Sequence, residues 1–171
     1  MNTIGSHPGA ILFRMSVMVI LITIITVVFF HYIDKVQQNA ERAAIMRTKG
    51  LIESALVVVF VTYVVEARLD ELNDLAGANP FDSLHEFVSL PGTYAGEVDS
   101  GLSDQHGPGW YYLKRHHQVV YRARHLGDDF RFELKLNYID ANESGRFESE
   151  IDRFQNIHFI RVAPNPTKSS P

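Results

Sequence analysis

Three histidines stand close enough in sequence to raise the question of a metal centre. His116 and His117 are adjacent in "KRHH" (114–117), and His125 follows across a short apolar run. A zinc or copper site needs three or four imidazole, thiolate or carboxylate ligands converging on one point. Neighbouring side chains on a strand point to opposite faces, so only one of the adjacent pair can share a face with His125. The chain has no H-x-x-x-H spacing and no cysteine to complete a ligand set. The cluster therefore reads as a polar turn. Asp128 and Asp129 follow Gly127 and read as a second turn, not as paired carboxylates for acid–base work. A cysteine count of zero also excludes disulfides and a cysteine nucleophile. There is no phosphate-cradling glycine loop and no G-x-S-x-G elbow. The expectation is a protein that is not an enzyme, holds no metal and no cofactor, and shows no small-molecule substrate. A net charge of −4 and a pI near 6.0 also argue against nucleic acid as a partner.

The elements that must position these residues begin with two apolar runs. From Met15 to Ile33 nineteen residues carry no Asp, Glu, Lys or Arg, and Arg14 and Asp34 close the run. A helix needs about twenty such residues to cross roughly 30 Å of hydrocarbon. The many β-branched residues weaken a helix in water, but in lipid every backbone N–H must bond within its own segment. Tyr32, Arg14 and Lys35 suit the interfaces. The run is longer than a signal-peptide core, and "QNA" (38–40) puts a bulky residue where a cleavage site needs a small one. It reads as an uncleaved anchor.

The second run, Ser54 to Val65, has only twelve uncharged residues between Glu53 and Glu66. Lengthening it to a span would bury charges at about 2.5–3.5 kcal/mol each at the bilayer centre. One span is therefore expected. Orientation is left open by charge. Lys35, Arg42, Arg47 and Lys49 after the span favour a cytoplasmic C-terminus, whereas a short N-tail commonly stays inside.

Helix formers fill 34–49, and Leu69, Leu72 and Leu75 recur at helical spacing before Gly77 and Pro80. One long helix from about residue 9 to 77, or two nearly collinear ones, is expected, with Gly50 the weak point and the last part, within 34–77, buried. Leu56, Val57, Phe60, Val61 and Val64 are the residues that need a cover. Residues 78–109, rich in Gly, Pro, Ser and Asp, read as loops. "WYYL" (110–113) and "QVVYRAR" (118–124) suggest a β-hairpin. "FRFELKLNY" (130–138) alternates as a strand with Phe130, Phe132, Leu134, Leu136 and Tyr138 on one face. "DANESG" (140–145) reads as a turn, "FESEIDRF" (147–154) is ambiguous, and "NIHFIRV" (156–162) reads as a last strand. The expected division is a tail (1–14), a transmembrane helix (15–33), a helix ending on the head (34–77), loops (78–109), a sheet (110–162) and a disordered tail (163–171). The fold class is α+β: a long N-terminal helix, transmembrane at first, whose last part packs on a small antiparallel sheet.

That layout is pilin-like. If Gly9 ended a leader, the fifth residue of the mature chain would be Arg14, where pilin-like proteins carry an acid. The substitution points to an accessory role. "ANPFDSL" (78–84), "LPGTYAGEVDSG" (90–101) and "GPGWYYLKRHHQVVYR" (107–122), behind the anchor, resemble the MshF family, biogenesis proteins encoded with the mannose-sensitive haemagglutinin (MSHA) type IV pilus. The resemblance implies a bacterial inner-membrane protein with a periplasmic head, involved in pilus biogenesis and cell adhesion. It implies as partners the membrane and other pilus-assembly proteins or pilins, met through the span and the head. It carries no catalytic or cofactor residues. Two function classes stand at this point: an assembly factor of a type IV pilus or related type II secretion system, and a single-pass sensor or adaptor with a ligand-reading head. About fourteen residues before the span leave little room for a sensor's output module, which favours the first.

Overall fold

The computed structural model describes residues 8–87, 89 and 92–163. The expectations for residues 1–7 and for the tail from 164 onward lie outside the described residues. The chain divides into two compact units, Met1–Ala40 and Glu41–Pro171. Helix α1 (Pro8–Val65) supplies the described part of the first and the opening element of the second.

In the first unit Pro8 opens the helix, where its missing N–H is no loss. Residues 8–14 of the expected tail belong to this helix. The stretch Leu12–Val65 contains a window of mean hydropathy 2.5 with none of its residues buried, long and apolar enough to cross a membrane. Ser16, Thr23 and Thr26 turn their hydroxyls onto the carbonyls of Phe13, Val19 and Ile22, each at 2.8 Å. Their donors are thereby satisfied inside the helix, as a lipid environment requires.

In the second unit α1 runs through Gly50 without a break and stops at Val65, twelve residues before the expected end at 77. The stop is a Schellman-type turn. Ala67 takes the left-handed conformation at φ 55°, the Arg68 N–H reaches back to the Tyr63 carbonyl at 2.8 Å, and the Ala67 N–H to Val64 at 3.3 Å. An alanine there costs about 1–2 kcal/mol relative to glycine. Arg68 helps offset this by pairing with Glu66 at 2.6 Å and Glu71 at 2.5 Å and by lying over the Tyr63 ring. A 3₁₀ turn (Leu69–Glu71), α2 (Leu72–Leu75) and α3 (Pro80–Ser83) follow, with Gly77 between them at φ 71°.

Among the described residues five strands form one sheet in the order β1-β2-β3-β4-β5: Tyr94–Val98, Gly109–Leu113, Gln118–Arg122, Phe130–Ile139 and Arg153–Val162. The hairpin expected over 110–124 is present, with Trp110 opposite Tyr121 and Tyr112 opposite Val119. β4 continues it antiparallel, and β5 pairs with β4 from Arg131 to Ile139. The ambiguous stretch 147–154 resolves into a turn followed by the start of β5. The sheet is mixed, not antiparallel throughout, because β1 lies parallel to β2. β1 falls inside the region expected as loops. Its signal was hidden by Gly96 at φ 109° and by a register shift between Tyr94 and Gly96. At the entry to β2, a Cβ on Gly109 would stand 2.7 Å from the Thr93 carbonyl oxygen, so glycine permits the close approach of the two strands.

One face of the sheet carries Trp110, Tyr112, Val119, Tyr121, Phe132, Leu134, Leu136 and Phe159, all buried. Phe132, Leu134 and Leu136 share the face expected of them, and a bulge near Gln155 keeps Phe154 and Ile157 both on that same face. Ile45, Ile52, Ala55, Leu56 and Val59 of α1 join this core. Each fully buried Ile, Leu or Val contributes roughly 1.5–3 kcal/mol. The opposite face is covered at β2 and β3 by the 99–108 connection. Tyr111 donates to the Gly107 carbonyl at 2.9 Å, His106 meets the Tyr111 ring edge-on, and Arg122 donates to the Ser103 carbonyl.

Candidate interaction surface

The histidines are not brought together. His116 ends the 3₁₀ turn Lys114–His116 and is exposed. His117 sits at φ 51° with its Nδ1 3.1 Å from the Gly77 carbonyl. His125 lies in the β3–β4 connection, where its backbone N–H is bound by Glu41. Among the described residues no group of three or more His, Asp or Glu is placed to hold a metal ion. Asp129 accepts the Ala123 N–H at 3.3 Å, and Asp128 is exposed, so the pair is a turn. "DANESG" likewise folds onto itself: Asp140 accepts the N–H groups of Ser144 and Gly145.

Two polar centres escaped the sequence reading. The first is Glu41, 7% exposed on the first turn of α1 in the second unit. Its carboxylate accepts the Arg124 N–H at 2.7 Å, the His125 N–H at 2.8 Å and the Tyr121 hydroxyl at 3.0 Å. Burial alone would raise its pKa, but the two backbone N–H groups and the phenol outweigh burial and hold the carboxyl below its usual value. Burial and this same carboxylate push Tyr121 up to about 12. The arrangement is a clasp between helix and sheet. An acid set among the alanines of "NAERAA" (39–44) was the signal available for it.

The second centre is Asn79. Its Oδ1 caps α3 by accepting the Phe81 N–H at 3.1 Å, and its Nδ2 reaches Asp82 at 2.7 Å and the Tyr94 hydroxyl at 2.8 Å. Lys114 pairs with Glu97 of β1 at 2.8 Å. Burial, then the charge of Glu97, raises the Asp82 pKa, while the hydrogen bond from Lys114 lowers that of Glu97. Carboxylates pushed apart in this way can divide acid and base roles. Here their partners are one another, and the cluster ties α3 to the parallel pair β1–β2.

Part of α1 leaves large apolar side chains uncovered. Of the five residues expected to need a cover, Leu56 is buried and Phe60 is half-buried, its ring stacked 4.4 Å from Phe154. Val57, Val61 and Val64 are instead 62%, 53% and 47% exposed. The helix joins the core through Ile45, Ile52, Ala55, Leu56 and Val59. An apolar circumference gives no moment to reveal that choice in advance. The outward face of α1 therefore shows Leu51, Val57, Val58, Val61, Val64 and Val65. Beside it a groove of about 420 Å³ runs between α1 and the edge strand β5, lined by Leu56, Val57, Phe60, Phe154, Ile157 and His158 among others. Contiguous apolar surface on this scale, together with an unpaired strand edge, marks an interaction site more often than a catalytic one. Compared with family models, with curated proteins and with solved structures, the chain matches none.

Proposed function

We propose that the chain is a single-pass membrane protein that works through contacts with other proteins. Its head stands on the periplasmic side of a bacterial inner membrane. Its role is that of an accessory factor in the assembly of an MSHA-like type IV pilus or a related type II secretion machine. The observation that carries the reading is the exposed valine face on the folded part of α1, next to a groove along β5. A head that has a core of its own yet leaves that face open has a surface suited to protein contact. The N-terminal apolar run supports anchoring, and helix-then-sheet order supports the pilin-like comparison. Arg14, standing where a pilin-like chain would carry an acid, supports an accessory role over that of a major subunit. No catalytic step belongs to the proposal. Deleting the gene is expected to reduce surface pili and the adhesion that depends on them, with pilin synthesis unchanged by immunoblot. Normal piliation in a clean deletion overturns the assembly role.

A further inference from the structure

We infer that the outward face of α1 between Leu51 and Val65 pairs with the same face of a second copy of this chain, in a parallel two-stranded coil. The inference deepens the contact reading above by naming the partner. Leu51, Ser54, Val58, Val61 and Val65 are all exposed and are separated by three, four, three and four residues. That is a 3.5-residue period, the spacing of a coiled-coil seam, with Val57 and Val64 flanking it seven residues apart. The residues that bind the sheet, Ile45, Ile52, Ala55, Leu56 and Val59, fall outside this seam, so the head and a second helix can be held at once. Leu51, Val58 and Val65 occupy equivalent positions one heptad apart.

The seam has ends. One step before Leu51 it reaches exposed Arg47, where pairing would set like charges against each other, and at Val65 the helix itself ends. The six apolar side chains expose on the order of 500 Å² per copy, the size of the largest patch on a typical monomer. A pair would bury about 1,000 Å², the lower bound for a specific interface. Two heptads with so little area are marginal in water. Copies held in one membrane with the same topology already run in the same direction, and confinement raises their effective concentration toward the millimolar range. A face too weak to associate in solution is thus suited to a second copy in the same bilayer.

The chain has no cysteine, so single-cysteine variants of the full-length protein report contacts without interference. Leu51→Cys, Ser54→Cys, Val58→Cys, Val61→Cys and Val65→Cys are oxidised in native membranes with copper phenanthroline. Met46→Cys, 65% exposed but off the seam, is the control. Disulfide-linked dimers, identified with two differently tagged copies, are expected at least about fivefold above the control at the seam positions. A V58R/V61R pair placed on the Ser54→Cys background is expected to lower that product at least tenfold. Both sites are exposed, so circular dichroism is expected to remain that of the parent. Crosslinking equal at seam and control positions overturns self-pairing, as does a product of another mass containing a different protein. These outcomes are separable from the deletion test, because loss of pili without seam dimers leaves the contact reading standing with a different partner.

Discussion

Trp110→Ala is expected to lower the stability of the head by about 3–5 kcal/mol, the range for deleting a fully buried large aromatic. Trp110 is 1% exposed and lies against Phe81, Tyr121 and Phe132, with ring centroids at 5.9, 5.0 and 5.6 Å. It is the meeting point of α3, β3 and β4, so its cavity cannot be closed by one neighbour's movement. For a head of this size the loss is a fall of roughly 10–20 °C in the melting midpoint. Thermal unfolding of the detergent-solubilised full chain, followed by far-ultraviolet circular dichroism, measures it. Val61→Ala, on the open face of α1, is expected to stay within about 0.5 kcal/mol of the parent. Equal losses in the two variants would mean that the α1 face is covered within the chain.

Replacing the Glu41 carboxylate is expected to cost roughly 1–3 kcal/mol, because the Tyr121 hydroxyl and two backbone N–H groups lose their acceptor together. The effect is pH-dependent with a definite sign. The folded-state pKa of Glu41 lies below the ordinary 4.5, so its stabilisation is fully present above about pH 4.5. It is lost as pH falls below that value and through the lower folded pKa. The gap in melting midpoint between the parent and Glu41→Gln is therefore expected to be constant near neutrality and to narrow under acid. A gap that widens on acidification would contradict the clasp.

The parts of the fold that were legible in the sequence are those in which one pattern dominates. Nineteen uncharged residues announce an apolar helix, and the strict alternation from Phe130 to Tyr138 places β4 and its buried face. The hairpin of β2 and β3 was legible from its aromatic and β-branched runs. The end of α1 was not, because the left-handed stop falls on Ala67, a residue whose type favours helix continuation. β1 was not, because a five-residue strand containing Gly96 has the composition of a turn. The direction in which the second apolar run faces was not, because valines surround the helix there. The open seam follows from that last point: a helix apolar on both sides can serve a core and a partner, and only the three-dimensional packing separates the two. Glu41 was illegible for another reason. A lone acid in an alanine-rich helix looks solvated until the strand that reaches it is known.

The proposed topology has a single span, with everything after Asp34 on the outer side of the inner membrane. Cysteine scanning tests it most directly, since the parent has no thiol. Ser103→Cys and Glu150→Cys, both in the head, are to be treated with a membrane-impermeant maleimide on intact spheroplasts and again after lysis. The account predicts full labelling of both positions before lysis. Protection of both until lysis would place the head in the cytoplasm and contradict the account.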